Sequence, residues 1–341
     1  MIKFAHQIDQ SLSMGAISTI HTIDMHTAGE PLRIIYKGFP LLSGRRIIEK
    51  RKDCLENHDH LRKQLMFEPR GHADMYGAIL VGKERDDSDF GVLFTHNEGY
   101  STMCGHAIIA LTQLAYKIGH IGTGETLRID TPAGLVISKS MGAFAEFINV
   151  PSFVYKTDLN IEVRGKIYVF DIAFGGAFYA FIDADLHNID LSAENHQILK
   201  HLGYTLKCEI AQTLLCLHPY YSELSFLYGV IFYSSKQVNG PSSHSKHVCI
   251  FADGELDRSP TGTGVSARAA LLHAKDSLAL NDTIKIESIL GYCFEVSVTG
   301  GIQYANYDAV IPKVSGEAYI TGKHEFILEE DDPLTDGFIF K

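Results

Sequence analysis

Short runs of β-branched and aromatic residues, each bounded by Gly, Pro, Asn or Asp, recur along the whole chain: LRIIY, GAILVG, GVLFTH, TLRIDT, AEFINVP, KIYVFDIAFGG, FLYGVIFYS, HVCIFADG, CFEVSVTG, YDAVIP and EAYITG. Runs of this length and composition predict strands. Three segments instead space their apolar positions as a helix does, Cys104 to Ile118, Ser192 to Leu202 and Gly264 to Lys275. Many strands with a few helices make this an α/β or α+β chain.

A single core rarely grows past about 250 to 300 residues, so 341 residues predict two domains. Asn149-Val150-Pro151-Ser152 closes one strand run, and the stretch from there to Gly165 is weakly patterned. A boundary is expected there, giving a first domain of 20–152 plus 317–341 and a second of 153–316. A weak repeat crosses that boundary. Cys104-Gly105-His106-Ala107-Ile108 opens the first long helix and Thr261-Gly262-Thr263-Gly264-Val265 opens the last, 157 residues later. Two helix starts aimed at one cleft would present unpaired N–H groups and two positive dipole ends, an anion site in two halves.

Composition narrows the partners. Apolar residues make up 45% and charged residues 21%, a globular balance. The net charge is -11 and no Lys/Arg run forms a phosphate-tracking stripe, which argues against nucleic acid. No stretch of about 18 apolar residues predicts a membrane span, and MIKFAHQIDQSLSMGAISTI lacks the basic start and apolar core of a leader, so a cytoplasmic location is expected. The six cysteines, 54, 104, 208, 216, 249 and 293, form no CxxC pair and read as reduced thiols.

Chemistry concentrates at the two helix starts. A cysteine there meets orphan N–H groups and a dipole that lower its pKa below about 8.5, which makes Cys104 a candidate thiolate. Gly105 and His106 follow it closely enough to share a ligand. Asp257-Arg258-Ser259-Pro260-Thr261-Gly262-Thr263-Gly264 sets a carboxylate four residues before the other helix start, suiting a zwitterion: N–H groups for a carboxylate, Asp257 for an ammonium. Gly262-Thr-Gly264-Val-Ser-Ala267 also matches a dinucleotide fingerprint, but the strand HVCIFA ends about ten residues too early for the required tight turn. A metal at His21, Asp24 and His26, or at His72 and Asp74, is disfavoured, because the first three cannot all share a strand face.

Asp24-Met-His26-Thr-Ala-Gly29-Glu30-Pro31, Gly71-His72-Ala-Asp74-Met-Tyr-Gly77-Ala78, Met103-Cys104-Gly105-His106 and Asp257 through Gly264, in that order, resemble the proline racemase family. The resemblance runs from about residue 20 to the C-terminal Asp-Asp-Pro-Leu-Thr-Asp-Gly-Phe. It implies a diaminopimelate-epimerase-like fold of two pseudo-symmetric α/β domains, each wrapping strands around a central helix, with substrate between the helix starts. It further implies no cofactor, a small-molecule substrate and, often, a homodimer.

The family's racemases and hydroxyproline epimerases carry a Cys at both helix starts, whereas this chain has Thr261 at the second. A threonine hydroxyl is too weak an acid to exchange protons there. The Cys/Thr pairing resembles the trans-3-hydroxy-L-proline dehydratase branch. That resemblance implies Cys104 as the base, Thr261 on the opposite face, N–H groups of Gly105, His106, Gly262 and Thr263 around the carboxylate, and Asp257 with His106 at the ring nitrogen. A second departure is Leu224-Ser-Phe-Leu-Tyr-Gly229, which lacks the histidine that epimerases usually place there. The alternatives are a proline or hydroxyproline racemase/epimerase and a non-catalytic amino-acid-binding protein.

Overall fold

The computed structural model describes residues 18–329 and 331–340. Residues 1–17, most of the stretch read above for a leader, lie outside the described residues, as do 330 and 341 of the expected first domain. Strands β1 (Ser18–Thr27) and β2 (Glu30–Lys37) open the chain as a hairpin, followed by helices α1 (Ile47–Asn57) and α2 (Asp59–Met66). Then come β3 (Tyr76–Val81), β4 (Phe90–His96), β5 (Gly99–Ser101), helix α3 (Gly105–Lys117), β6 (Thr126–Thr131), β7 (Gly134–Ser140) and β8 (Ala145–Ile148). The chain continues with β9 (Ser152–Val163), β10 (Lys166–Phe174), β11 (Phe178–Asp183), the single turn α4 (Ala184–His187) and the long α5 (His196–Thr213). It ends with β12 (Leu227–Ser234), β13 (Ser245–Phe251), β14 (Glu255–Asp257), α6 (Gly262–Ala274), β15 (Thr283–Glu287), β16 (Cys293–Tyr304), β17 (Tyr307–Gly316) and β18 (Ala318–Leu328).

The pairing order occurs twice. In the first half β2 runs parallel to β3, β3 antiparallel to β4, β4 antiparallel to β5 and parallel to β6, and β6, β7 and β8 follow as a meander. In the second, β11 through β17 repeat each of these relations. In both halves the helix, α3 or α6, sits between the short fourth strand, β5 or β14, and the fifth, β6 or β15. β18 returns to pair antiparallel with β1.

Each of these helices is enclosed. Helix α3 packs against β1, β2, β7, β8, β17 and β18, and α6 against β9, β10, β11, β16 and β17. Ala107, Ile108, Ile109 and Ala110 are fully buried in the first, Val265, Ala267, Ala269 and Leu271 in the second. A helix apolar all round has no solvent face and needs a sheet wrapped about it.

Some expectations are corrected. The weakly patterned stretch after Ser152 is the strand β9, in which Phe153, Tyr155, Leu159, Ile161 and Val163 alternate toward the core, interrupted by exposed Lys156, Thr157 and Asp158 where the register is irregular. The helix expected to end at Leu202 runs on to Thr213. At Gly203 a Cβ would meet Ile250 Cγ1 at 2.5 Å, so the glycine lets α5 lie close on β13. Helices α1 and α2 were not expected. Short strands, β5 and β14, also separate GVLFTH and HVCIFADG from the helix starts. Among the described residues no helix is long and apolar enough to cross a membrane.

Arg33 of β2 locks this half together. Its guanidinium donates to both oxygens of Asp24 at 2.8 to 3.2 Å and to the carbonyls of Leu65 and Arg70, each at 2.6 Å. Asp24 is thus bound to a cation in the protein's own framework. Arg33→Met leaves that carboxylate and two carbonyls without their partner, and urea unfolding is expected to show a loss of about 3 to 5 kcal/mol. A loss below about 1 kcal/mol would mean that the ion pair contributes nothing net.

Candidate active site

The starts of α3 and α6 meet backbone to backbone. A Cβ added to Gly105 would lie 2.6 Å from the Gly262 Cα, and one added to Gly262 would lie 2.6 Å from the Gly105 Cα. No side chain fits between them. The approach brings the first-turn N–H groups of Gly105, His106, Gly262 and Thr263 into one small region, where no carbonyl of their own helix can accept them. All seven residues expected at the site, Cys104, Gly105, His106, Asp257, Thr261, Gly262 and Thr263, line one narrow pocket between the helix starts.

Cys104 caps α3 in extended conformation and is 5% exposed. Its sulfur lies 3.1 Å from His106 Nδ1. Burial pushes the thiol well above its ordinary range. The Ala107 N–H and the Tyr76 hydroxyl pull it down, while the carboxyls of Asp257 and Glu30 push it further up. The expectation of a lowered thiol is therefore overturned: the helix start supplies a hydrogen bond, and desolvation outweighs it. His106 is also buried, which brings its ring down to about 4 against opposing pulls from Asp257 and the Pro31 carbonyl, so it is neutral at pH 7. Thr27 Oγ1 donates to the His106 carbonyl at 2.9 Å and ties β1 to this turn.

On the other side, Thr261 adopts φ 68° and ψ 96°, a strained conformation for a β-branched residue. Three hydrogen bonds hold it. Its N–H donates to Ser259 Oγ at 3.1 Å, the Ser259 N–H donates to Asp257 Oδ1 at 2.7 Å, and the Thr261 hydroxyl donates to Asp257 Oδ2 at 2.8 Å. With its one proton turned to Asp257, Thr261 shows the cavity lone pairs, an acceptor face.

The other motif residues brace this loop. Ala28 and Gly29, both at positive φ, make the two-residue turn that delivers Glu30 to the loop. Glu30 is fully buried; its Oε2 accepts the Arg258 N–H at 2.6 Å and its Oε1 has no hydrogen-bond partner. Burial, reinforced by Asp257, raises its carboxyl well above the usual range. Asp74 pairs with the Arg258 guanidinium at 3.1 Å and with Lys200 at 3.0 Å. Sequence reasoning quoted Glu30 and Asp74 within their motifs without giving either a role at the site. The signal available for Glu30 was a carboxylate directly after a tight turn.

Aromatic residues complete the wall. Tyr76, Tyr179, Tyr228 and Phe251 line the cavity. The Tyr179 hydroxyl pairs with Thr263 Oγ1 at 2.7 Å, and Tyr76 packs edge-on against His106 with its hydroxyl against Ser101 Oγ. Elsewhere, His26 stacks on Tyr319 and accepts the Gly29 N–H, and His72 Nδ1 lies 2.8 Å from the Ala73 carbonyl. Among the described residues no three His, Cys, Asp or Glu side chains converge as a metal site. All six cysteines are free.

The sequence profile described as Proline racemase matches residues 22–339. The chain belongs to the proline racemase family. It is 48% identical to the trans-3-hydroxy-L-proline dehydratase of Colwellia psychrerythraea, with 100% of this chain and 98% of that protein covered. It is 43% identical to the protein of the same name from Homo sapiens, covering 94% and 95%. A solved hydroxyproline epimerase from Agrobacterium vitis, with bound trans-4-hydroxy-L-proline, matches with TM-score 0.87 at 28% identity over 95% of each chain. The expected fold class, strands wrapped around a central helix in two like units, is the one these proline racemase relatives share.

The high thiol pKa has a direct readout. Iodoacetamide labelling followed by peptide mapping is expected to modify exposed Cys293 first, with Cys104 slower by on the order of tenfold at pH 7 and its rate still climbing above about pH 9. A Cys104 rate that levels off below pH 8 would indicate a preformed thiolate.

Proposed function

We propose that this protein is a trans-3-hydroxy-L-proline dehydratase that works with one acid-base thiol. The observation that carries the reading is the pairing across the Gly105–Gly262 contact: a thiol on one face, and on the other a threonine whose only proton is given to Asp257. Such a site takes a proton from one face of the α-carbon and has nothing on the other face to return one. Full-length relatives of that name, at 48% and 43% identity, support it.

The substrate carboxylate sits among the N–H groups of Gly105, His106, Gly262 and Thr263, which stabilise its enolising oxygens as an oxyanion hole does. The ring ammonium faces the Asp257 carboxylate and the Thr261 lone pairs. Its charge beside the sulfur offsets the burial that keeps Cys104 protonated, and neutral His106 accepts the thiol proton. In trans-3-hydroxy-L-proline the hydroxyl and the α-hydrogen share a ring face, so elimination is syn. The Cys104 thiolate takes the C2 hydrogen, the C2–H electron pair becomes the C2=C3 double bond, and the C3–O bond breaks. Cys104 returns its proton to the departing oxygen as water. The enamine then tautomerises to Δ1-pyrroline-2-carboxylate.

On this reading residues 20–152 and 317–341 carry Cys104, and 153–316 carry Asp257 and Thr261, a division supported by the repeated pairing order and by the β18–β1 pairing. A cytoplasmic location, supported by six free thiols, and a homodimeric state, carried over from the resemblance, belong to the same proposal.

Incubation with trans-3-hydroxy-L-proline, trans-4-hydroxy-L-proline and L-proline separately, following imine formation and optical rotation, tests the reading. Imine is expected from the first alone; inversion of the others without imine would favour a racemase or epimerase. Cys104→Ser is expected to leave less than about a tenth of the turnover with the fold intact, because an alcohol is no substitute for a thiolate base. Thr261→Cys, kept reduced because Cys249 lies against residue 261, is expected to retain dehydration and gain slow inversion of proline. Absence of inversion in an otherwise active variant would count against a two-faced site.

A further inference from the structure

The dehydratase reading assigns a partner to every polar group of the substrate except the 3-hydroxyl. The carboxylate takes the helix-start N–H groups, the ammonium takes Asp257 and Thr261, and the α-carbon takes Cys104. The rest of the ring faces the aromatic wall. Two of its three phenols are already engaged, Tyr179 with Thr263 Oγ1 and Tyr76 with Ser101 Oγ. The third, Tyr228, is 7% exposed and lines the same cavity; its oxygen has the Tyr76 hydroxyl beside it, while its own proton has no close acceptor. A buried hydroxyl in a substrate cavity whose proton lacks an acceptor marks a position that a ligand completes.

Its ring is held fast. Tyr228 stacks on Phe251 with centroids 5.4 Å apart and meets Tyr179 and His96 edge-on, at 5.8 and 6.3 Å. It is close enough to interact with both Tyr76 and Cys104. A hydroxyl leaving syn to the α-hydrogen must lie on the Cys104 face, and Tyr228 is within reach of Cys104.

We propose that Tyr228 is the specificity-determining residue for the 3-hydroxyl, its phenol O–H donating to that oxygen and strengthening the bond as the C3–O bond breaks. Tyr228 keeps its own proton throughout, and Cys104 supplies the one that leaves with water. Burial, which raises the phenol well above its ordinary pKa, maintains that state. Discrimination of this kind is strong because a substrate without the hydroxyl leaves the donor unpaired.

Tyr228→Phe isolates the contact. The variant removes an oxygen whose one neighbour, the Tyr76 hydroxyl, keeps Ser101 Oγ as a partner, so its melting temperature is expected to stay close to that of the parent. kcat/KM for trans-3-hydroxy-L-proline is expected to fall on the order of 100-fold, while the dissociation constants of L-proline and pyrrole-2-carboxylate, which lack the hydroxyl, stay within about twofold. Dehydration within about threefold of the parent, or equal weakening of all three ligands, would overturn the proposal. A second arm separates this from the underlying reading. In Cys104→Ser protein, whose turnover is expected to be largely lost, the preference for trans-3-hydroxy-L-proline over L-proline is measured calorimetrically with and without Tyr228→Phe. Loss of that preference supports the contact, and an unchanged preference overturns it. Failure of the parent protein to form imine would overturn the dehydratase reading instead.

Discussion

The contact between Gly105 and Gly262 is the constraint on which the rest of the site depends. Two buried helices can point their N-termini at each other only if nothing protrudes between them, and a Cβ on either glycine would strike the other's Cα at 2.6 Å. Their dipoles repel at that distance, so a bound carboxylate relieves a repulsion as well as accepting hydrogen bonds. The enclosing strands hold the helices in opposition: Thr102 Oγ1 donates to the Gly176 carbonyl at 3.0 Å, and Gly175 lies so close to α6 that a Cβ would meet the Thr263 carbonyl oxygen at 2.2 Å. The anion site is therefore a property of the fold's doubled topology, and the catalytic side chains are set around it.

Closure has an electrostatic consequence. The dry space that strengthens every hydrogen bond to an enolising carboxylate also raises the thiol that must act as base, and lowers the imidazole beside it. The site resolves the conflict with the substrate's own charges. A zwitterion brings an ammonium to the thiol face and a carboxylate to the helix dipoles, so each group is ionised most easily when the right ligand is present. Glu30, which accepts the N–H of Arg258 next to Asp257, takes part in the same balance. Were it charged beside Asp257, two anions would compete, and its raised pKa leaves Asp257 as the one to hold the ammonium.

Much of this was legible in the residues. The eleven β-branched runs all fall in strands, most of them with a buried face though EAYITG of β18 is largely exposed, and the helices at Cys104 and Gly264 announce themselves by small and aliphatic residues with hardly a charged one among them. Helices α1 and α2 were not legible: beside Ile47, Cys54, Leu65 and Met66 their buried positions hold Lys50, Arg62 and Gln64, polar side chains that break the apolar spacing. Strand β9 was missed because its alternation, Phe153, Tyr155, Leu159, Ile161 and Val163, is broken by the polar run Lys156-Thr157-Asp158, with Asp158 at positive φ. At the site, identities and spacing pointed to all seven residues, but the thiol's pKa was misread. Burial by Tyr76, Tyr228 and Phe251, which come from distant strands, has no signature in the few residues around Cys104.

Thr261 shows how a reaction class can change while its setting stays the same. The residue sits at a strained φ of 68°, worth about 1 to 3 kcal/mol, and the loop sustains it through Ser259 and Asp257. Both of those bonds are independent of the Thr261 side chain. The backbone position facing the α-carbon is therefore held whatever residue stands there, and the side chain is left to decide the chemistry. A hydroxyl turned to Asp257 offers only lone pairs and fits the ammonium. A thiol in its place has a proton acidic enough to give. With the same helix starts, the same carboxylate site and the same first base, that one side chain separates a carbanion that must expel its neighbour from one that can be reprotonated on the opposite face.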